Sequence, residues 1–200
     1  MKRRILFCIA LIAFGLTAFA QDWIDITEDY IQNPNFDGDI NGWVDTFDGA
    51  AQNHGYQGAS YSNGSVTISK FAEAWRDKNS WTRFLGNASI YQTISNLPTG
   101  KFRLEADAIA NDQANENNSV SGVLLFMESS SNLATTEMAT ANGKPKHFSV
   151  EMTDYTGIIT IGVRTENAKA NWLAFDNVRL FHYGTIIAPT NTMFPSPAMR

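Results

Sequence analysis

Two carboxylates stand among bulky apolar neighbours near opposite ends of the chain: Asp37 in NPNFDGDINGW, residues 33–43, and Asp176 in WLAFDNVRLF, residues 172–181. A buried carboxylate must neutralise, meet a cation or accept several backbone N–H bonds. One reading is an arginine or lysine partner, or a network of hydrogen bonds. The other is a calcium ion, which takes six to eight oxygens at roughly 2.3–2.6 Å. The first segment can supply them, because Gly38 and Gly42 let the backbone curl while Asn35, Asp37, Asp39 and Asn41 carry side-chain oxygens. It is not an EF-hand loop, which needs a glutamate at its twelfth position. A calcium held jointly by Asp37 and Asp176 accounts for both carboxylates at once.

A second constellation suits sugar. Flat aromatics can stack on pyranose rings while carboxylates, amides and arginine bond the hydroxyls. FAEAWRDKNSWTRF, residues 71–84, packs Glu73, Trp75, Arg76, Asp77, Asn79 and Trp81 into one stretch. The competing reading makes either tryptophan a core plug, and Trp43 and Trp172 are read as core. Tyr56 and Tyr61, with Asn53 and His54, offer a second rim, and Asn111 with Asp112 could complete it; a solvated turn is the alternative for the last two. Glycoside cleavage needs a carboxyl pair about 5–5.5 or 6.5–9.5 Å apart. Glu73, Asp77, Glu105, Asp107 and Glu128 are available, but spacing singles out no pair. His147 and His182 show no Asp–His–Ser arrangement around them.

Residues 1–20 carry Lys2, Arg3 and Arg4, an apolar run and small residues at Ala18 and Ala20, the pattern of a secretory leader cut after Ala20. The run is shorter than the ~20 residues of a membrane span. Cys8, the sole cysteine, lies inside the leader, so the mature chain is expected to have no disulfide, cysteine-bound zinc or thiol nucleophile. Cleavage removes three of fifteen basic residues and none of twenty acidic ones, leaving twelve against twenty, a net charge of about −8. Such a surface does not attract nucleic acid. Asn63, Asn87 and Asn117 begin N-x-Ser sequons that a bacterial leader makes irrelevant to ordinary glycosylation.

The elements that must position these groups are strands. KFRLEADAIAND alternates Phe102, Leu104, Ala106, Ala108 and Ala110 with Lys101, Arg103, Glu105 and Asp107. HFSVEMT, ASIYQTIS and GIITIGVRT repeat the period of two, and VTISKF and WLAFDNVRLFHY add two more strands. SGVLLFM is apolar on both faces and reads as a central strand covered on each side. Pro98 and Gly100 predict a hairpin between ASIYQTIS and KFRLEADAIAND. Strict alternation in the last strand groups Asp176 with Trp172, Ala174, Val178 and Leu180. The polar stretches 49–64 and 111–119 read as loops. The expected architecture is all-β, an antiparallel sandwich in one domain over 21–184, followed by a tail or linker over 185–200 that holds Pro189, Pro195 and Pro197.

NPNFDGDINGW, YQTISNLPTGKFRLEADA and WLAFDNVRLF resemble the galactose-binding-like jelly roll of secreted carbohydrate-binding modules, especially in polysaccharide-degrading gut Bacteroidetes. The resemblance spans roughly residues 31–183. It implies a jelly-roll β-sandwich and a noncatalytic, secreted, glycan-binding module, with a monomer assumed. It also implies a structural calcium at Asp37 and Asp176, with Asp37 standing where the family usually has Glu. The expected sugar contacts are Tyr56, Glu73, Trp75, Arg76, Asn79, Trp81 and Asn111. A structural or adhesion sandwich without sugar binding is the runner-up, and a carbohydrate-active enzyme the third reading.

Overall fold

Eleven strands and one short helix follow in chain order: β1 (Trp23–Asp25), α1 (Thr27–Tyr30), β2 (Val44–Asp45), β3 (Asn53–Asn63), β4 (Val66–Trp75), β5 (Ala88–Ser95), β6 (Gly100–Asn111), β7 (Val123–Glu128), β8 (Leu133–Glu137), β9 (Lys146–Asp154), β10 (Ile158–Thr165) and β11 (Trp172–Tyr183). They come from a computed structural model that describes residues 22–115 and 120–184. The expected leader, the expected tail and the Asn117 sequon lie outside the described residues.

All pairings are antiparallel. The larger sheet runs β3-β4-β11-β6-β9, with β1 also on β11, and the smaller runs β2-β5-β10-β7-β8. Ala106, Ala108 and Ala110 of β6 and Leu173 and Phe175 of β11 point into the sandwich, where Ile90 and Ile94 of β5 and Ile159, Ile161 and Val163 of β10 meet them. Among these, Gln92 is buried too; its carboxamide accepts from the Gln32 N–H at 2.9 Å and donates to the Gln32 and Gly42 carbonyls.

The opening and closing motifs meet as expected, but through apolar contact. Phe36 is fully buried, edge-on to Phe175 at 5.1 Å and 5.3 Å from Trp43, which itself lies 5.9 Å from Phe175. The Trp43 indole donates to the Gln32 carbonyl at 3.0 Å, and the Val178 N–H to Pro34 at 3.0 Å. Trp43 is therefore core, as read.

Three expectations need correction. NLPTGK reverses the chain but makes no hairpin: β5 lies in the smaller sheet and β6 in the larger, so the turn crosses the sandwich. Stretch 49–64 contains β3, an edge strand whose residues are mostly exposed, so no hydrophobic period marks it. By contrast, β7 lies between β10 and β8, and its outer-facing Phe126 is covered by the Arg164 guanidinium 5.0 Å from the ring centre, so SGVLLFM is an interior strand covered on both faces, as read. Finally, β11 slips register between Asp176 and Arg179, with Asn177 at φ 52°. The extra residue swaps faces, so Val178 and Leu180 enter the core while Trp172, Ala174 and Asp176 face outward.

Candidate functional site

The outer face of the larger sheet carries an apolar cluster of its own: Ile68, Phe71, Ile109, Trp172 and Ala174, with Ala59 and Trp75 packed against it. Beside it opens a groove of about 410 Å³ lined by Asn53, Gln57, Ala59, Tyr61, Glu73, Trp75, Gln113 and Trp172. The odd-numbered residues of β3 face it because side chains alternate along a strand. Trp75, Asn53 and Asn111 share one end of the sheet, where Trp75 pairs with Asn53 and with Trp172, and Trp172 with Asn111.

Hydrogen bonds fix the aromatic rings. The Trp172 Nε1–H donates to Glu73 Oε2 at 3.1 Å, and Gln57 Nε2 donates to Glu73 Oε1 at 3.3 Å. The Trp75 Nε1–H donates to Gln113 Oε1 at 2.8 Å, which also accepts from Asn171 Nδ2 at 3.1 Å. Tyr61 meets the Trp172 ring edge-on at 5.1 Å. Each indole is thereby held by its polar edge, which sets its ring plane before any ligand arrives.

The sequence-predicted sugar contacts divide. Glu73 and Trp75 line the groove, and Trp81 stands fully exposed on the loop after β4, as does Asn79. Arg76 faces inward: it donates to the Gly49, Ala50 and Thr82 carbonyls, clamping the β2–β3 loop to the β4–β5 loop. Tyr56 pairs with core-facing Ala72, so it points to the opposite side of β3 from the groove. His54 shares that side, 2.7 Å from Asp45. Asn111 is 1% exposed and lies under the Gly143 turn against Trp172, with neither carboxamide atom bonded. Asp112 is buried and paired to Arg83 at 2.9 Å, so neither residue forms a rim. Gln57, Gln113 and Trp172 were not foreseen as groove residues. No period in the sequence marks either Gln57, on a mostly exposed edge strand, or Gln113, in a loop.

Farther along the same face, Asp176 is 3% exposed. Its Oδ2 accepts the Ser69 N–H at 2.8 Å and its Oδ1 the Asn177 N–H at 2.7 Å. Burial raises its pKa to about 6, the two N–H bonds oppose the rise, and the charges of Asp107 and Asp37 add to it. Asp37 is largely exposed, with Lys70 Nζ 3.6 Å away, and Lys70 is at φ 61°. Asp39 is engaged locally with Asn33 and Asn41. Asp107 accepts from Asn177 Nδ2 at 2.9 Å and lies 2.9 Å from His147, which reaches Glu105 at 3.6 Å. Among the described residues, no three acidic, histidine or cysteine side chains are grouped to hold a metal. Asp37 and Asp176 are close enough for their charges to interact, so a cation at this junction would have these two carboxylates and otherwise backbone or amide oxygens.

No family model and no curated protein matches the chain. Solved structures do. The module TmCBM61, seen in complex with beta-1,4-galactotriose, aligns over 76% of this chain and 97% of its own, with 22% identity and a TM-score of 0.53. A Stig cyclase from Fischerella sp. TAU aligns over 82% and 100%, with 18% identity and a TM-score of 0.57. The chain has the β-sandwich fold of carbohydrate-binding modules. At these identities the likeness concerns the fold, which hosts both binding modules and enzymes. Among the described residues no helix is long and apolar enough to cross a membrane.

Proposed function

We propose that the protein is, as its resemblance to secreted Bacteroidetes modules implies, a secreted, noncatalytic carbohydrate-binding module, and that it takes a glycan in the groove of the larger sheet. The observation that carries this reading is the pairing of Trp75 and Trp172, held by their indole N–H groups, with Tyr61 and the carboxamides of Asn53, Gln57 and Gln113. Fixed rings beside polar groups are what sugar recognition needs. Trp81 supplies a further exposed ring on the neighbouring loop. Affinity electrophoresis against a panel of plant and host polysaccharides tests the reading: migration is retarded by at least one polymer and restored in Trp75→Ala. Silence across such gels and a broad glycan array sinks it in favour of a structural or adhesion role.

A noncatalytic role also agrees with the state of the carboxylates. Glu105 and Asp107 flank one imidazole, and Asp176, whose carboxyl is raised to about 6, lies under backbone donors outside the groove. Release of reducing sugar by the purified protein would overturn this part.

A structural calcium belongs to the same proposal. Asp176 and Asp37 would hold it, and the ion would stabilise the charged form of Asp176 that burial now disfavours.

A further inference from the structure

Resting on the glycan-binding reading, we propose that the groove selects neutral glycans and excludes acidic ones. Among the described residues, the lining holds one carboxylate, Glu73, and no cation. Glu73 is only 8% exposed, and both of its oxygens are occupied from within the protein, by Trp172 and Gln57. It is a fixed negative charge behind the aromatic floor.

The guanidinium groups on the adjoining loop are spent elsewhere. Arg76 is turned onto the Gly49, Ala50 and Thr82 carbonyls, and Arg83 is paired with buried Asp112 and lies 4.5 Å above the Phe84 ring. A uronate or sulfate entering the groove would lose water, meet a like charge and find no counter-ion among the described lining residues, which is a selection by repulsion.

The polar groups that remain are carboxamides. Gln113 spends its oxygen on Trp75 and Asn171, leaving its NH₂ to donate, and Gln57 spends one of two N–H groups on Glu73. Such donors bond hydroxyl and ring oxygens without needing a charge on the ligand.

The test is retardation of the full mature chain in gels of neutral polymers (galactan, xylan, β-glucan) and acidic ones (polygalacturonate, alginate). It is run at 0.15 M salt, where the Debye length of about 8 Å keeps distant surface charge from deciding the result. Retardation by a neutral polymer, with every acidic polymer at least tenfold weaker, is expected. Glu73→Gln, which removes the charge, and Asn53→Lys, which sets a cation at the exposed edge of the groove, are each expected to raise retention by acidic polymer at least tenfold. Because Asn53 makes no side-chain hydrogen bond among those described, its variant keeps the test alive if Glu73→Gln fails to fold. Retardation of the unmodified chain by an acidic polymer, abolished in Trp75→Ala, overturns the selectivity but keeps glycan binding. An Asn53→Lys chain that gains nothing also overturns it. Silence toward both classes of polymer removes the glycan-binding reading itself.

Discussion

Glu73 and Asp176 are both buried carboxylates on the outer face of the larger sheet, and their partners give them different chemistry. Glu73 is bonded by two side chains and orients Trp172; Asp176 is bonded by two backbone N–H groups and carries a raised pKa. For an acid whose folded pKa is raised, the folded state binds more protons, so its charge costs stability above the folded pKa. With metal excluded by chelator, lowering the pH from 7.5 toward 4.5 should therefore stabilise the fold through Asp176. The full effect is on the order of 3 kcal/mol from the shift of 3.8 to about 6. Asp154 acts with the opposite sign: burial opposes its charge, but bonds from the Thr156 and Ser129 hydroxyls and the Thr156 and Gly157 N–H groups hold its pKa below 3.8. Its contribution is present above 3.8 and lost at still lower pH. Urea midpoints of Asp176→Asn against pH should lose the gain between 7.5 and 4.5; an unchanged slope refutes the assignment. At the groove, Trp75→Ala should weaken glycan binding by roughly 30-fold, a loss of about 2 kcal/mol typical of an interfacial aromatic anchor, as read by calorimetry.

At the scale of elements, β10 meets β5 at a close backbone approach. Gly162 has φ +153°, and a Cβ there would lie 2.2 Å from the Ile90 carbonyl oxygen of β5. That oxygen belongs to backbone and cannot swing away, so Gly162→Ala should cost at least about 2 kcal/mol, measurable as a fall in denaturation midpoint. Long strands such as β6 and β9 were legible because one of their faces is core and the other wet. β3 was illegible for the opposite reason: as an edge strand its Gln57 and Ser60 and most of their neighbours are solvated on both sides, so hydrophobicity cannot alternate. The β5–β6 turn shows a further limit. Pro98 and Gly100 specify that the chain reverses, while the sheet that receives β6 is chosen by β11 and β9.

Across the whole molecule, the loop from Asn33 to Trp43 fastens one end of the chain to β11 near the other. Phe36→Ala should destabilise by about 3–5 kcal/mol, because a fully buried ring touching Trp43 and Phe175 leaves a cavity the rigid sandwich cannot fill. The proposed calcium would tie the same junction a second time. If it is bound, chelator should lower the melting temperature and Asp176→Ala should abolish that sensitivity; a melting curve indifferent to chelator ends the calcium proposal. The groove is likewise a whole-molecule feature, since Trp75, Gln113 and Trp172 come from segments far apart in the chain.

The amino-acid sequence by itself determined that β4, β5, β6, β7, β9, β10 and β11 extend and which faces of β5, β6, β9 and β10 turn inward. Side chains alternate with a period set by local backbone geometry, and burial of the apolar set follows from it. Only the tertiary structure decided that Arg76 clamps loops, that Tyr56 faces away from the groove, that Asn111 is buried, and that a one-residue bulge turns Asp176 outward from the core. Those outcomes depend on strand partners and register, which are selected by packing between residues up to a hundred or more positions apart and leave no local period to read.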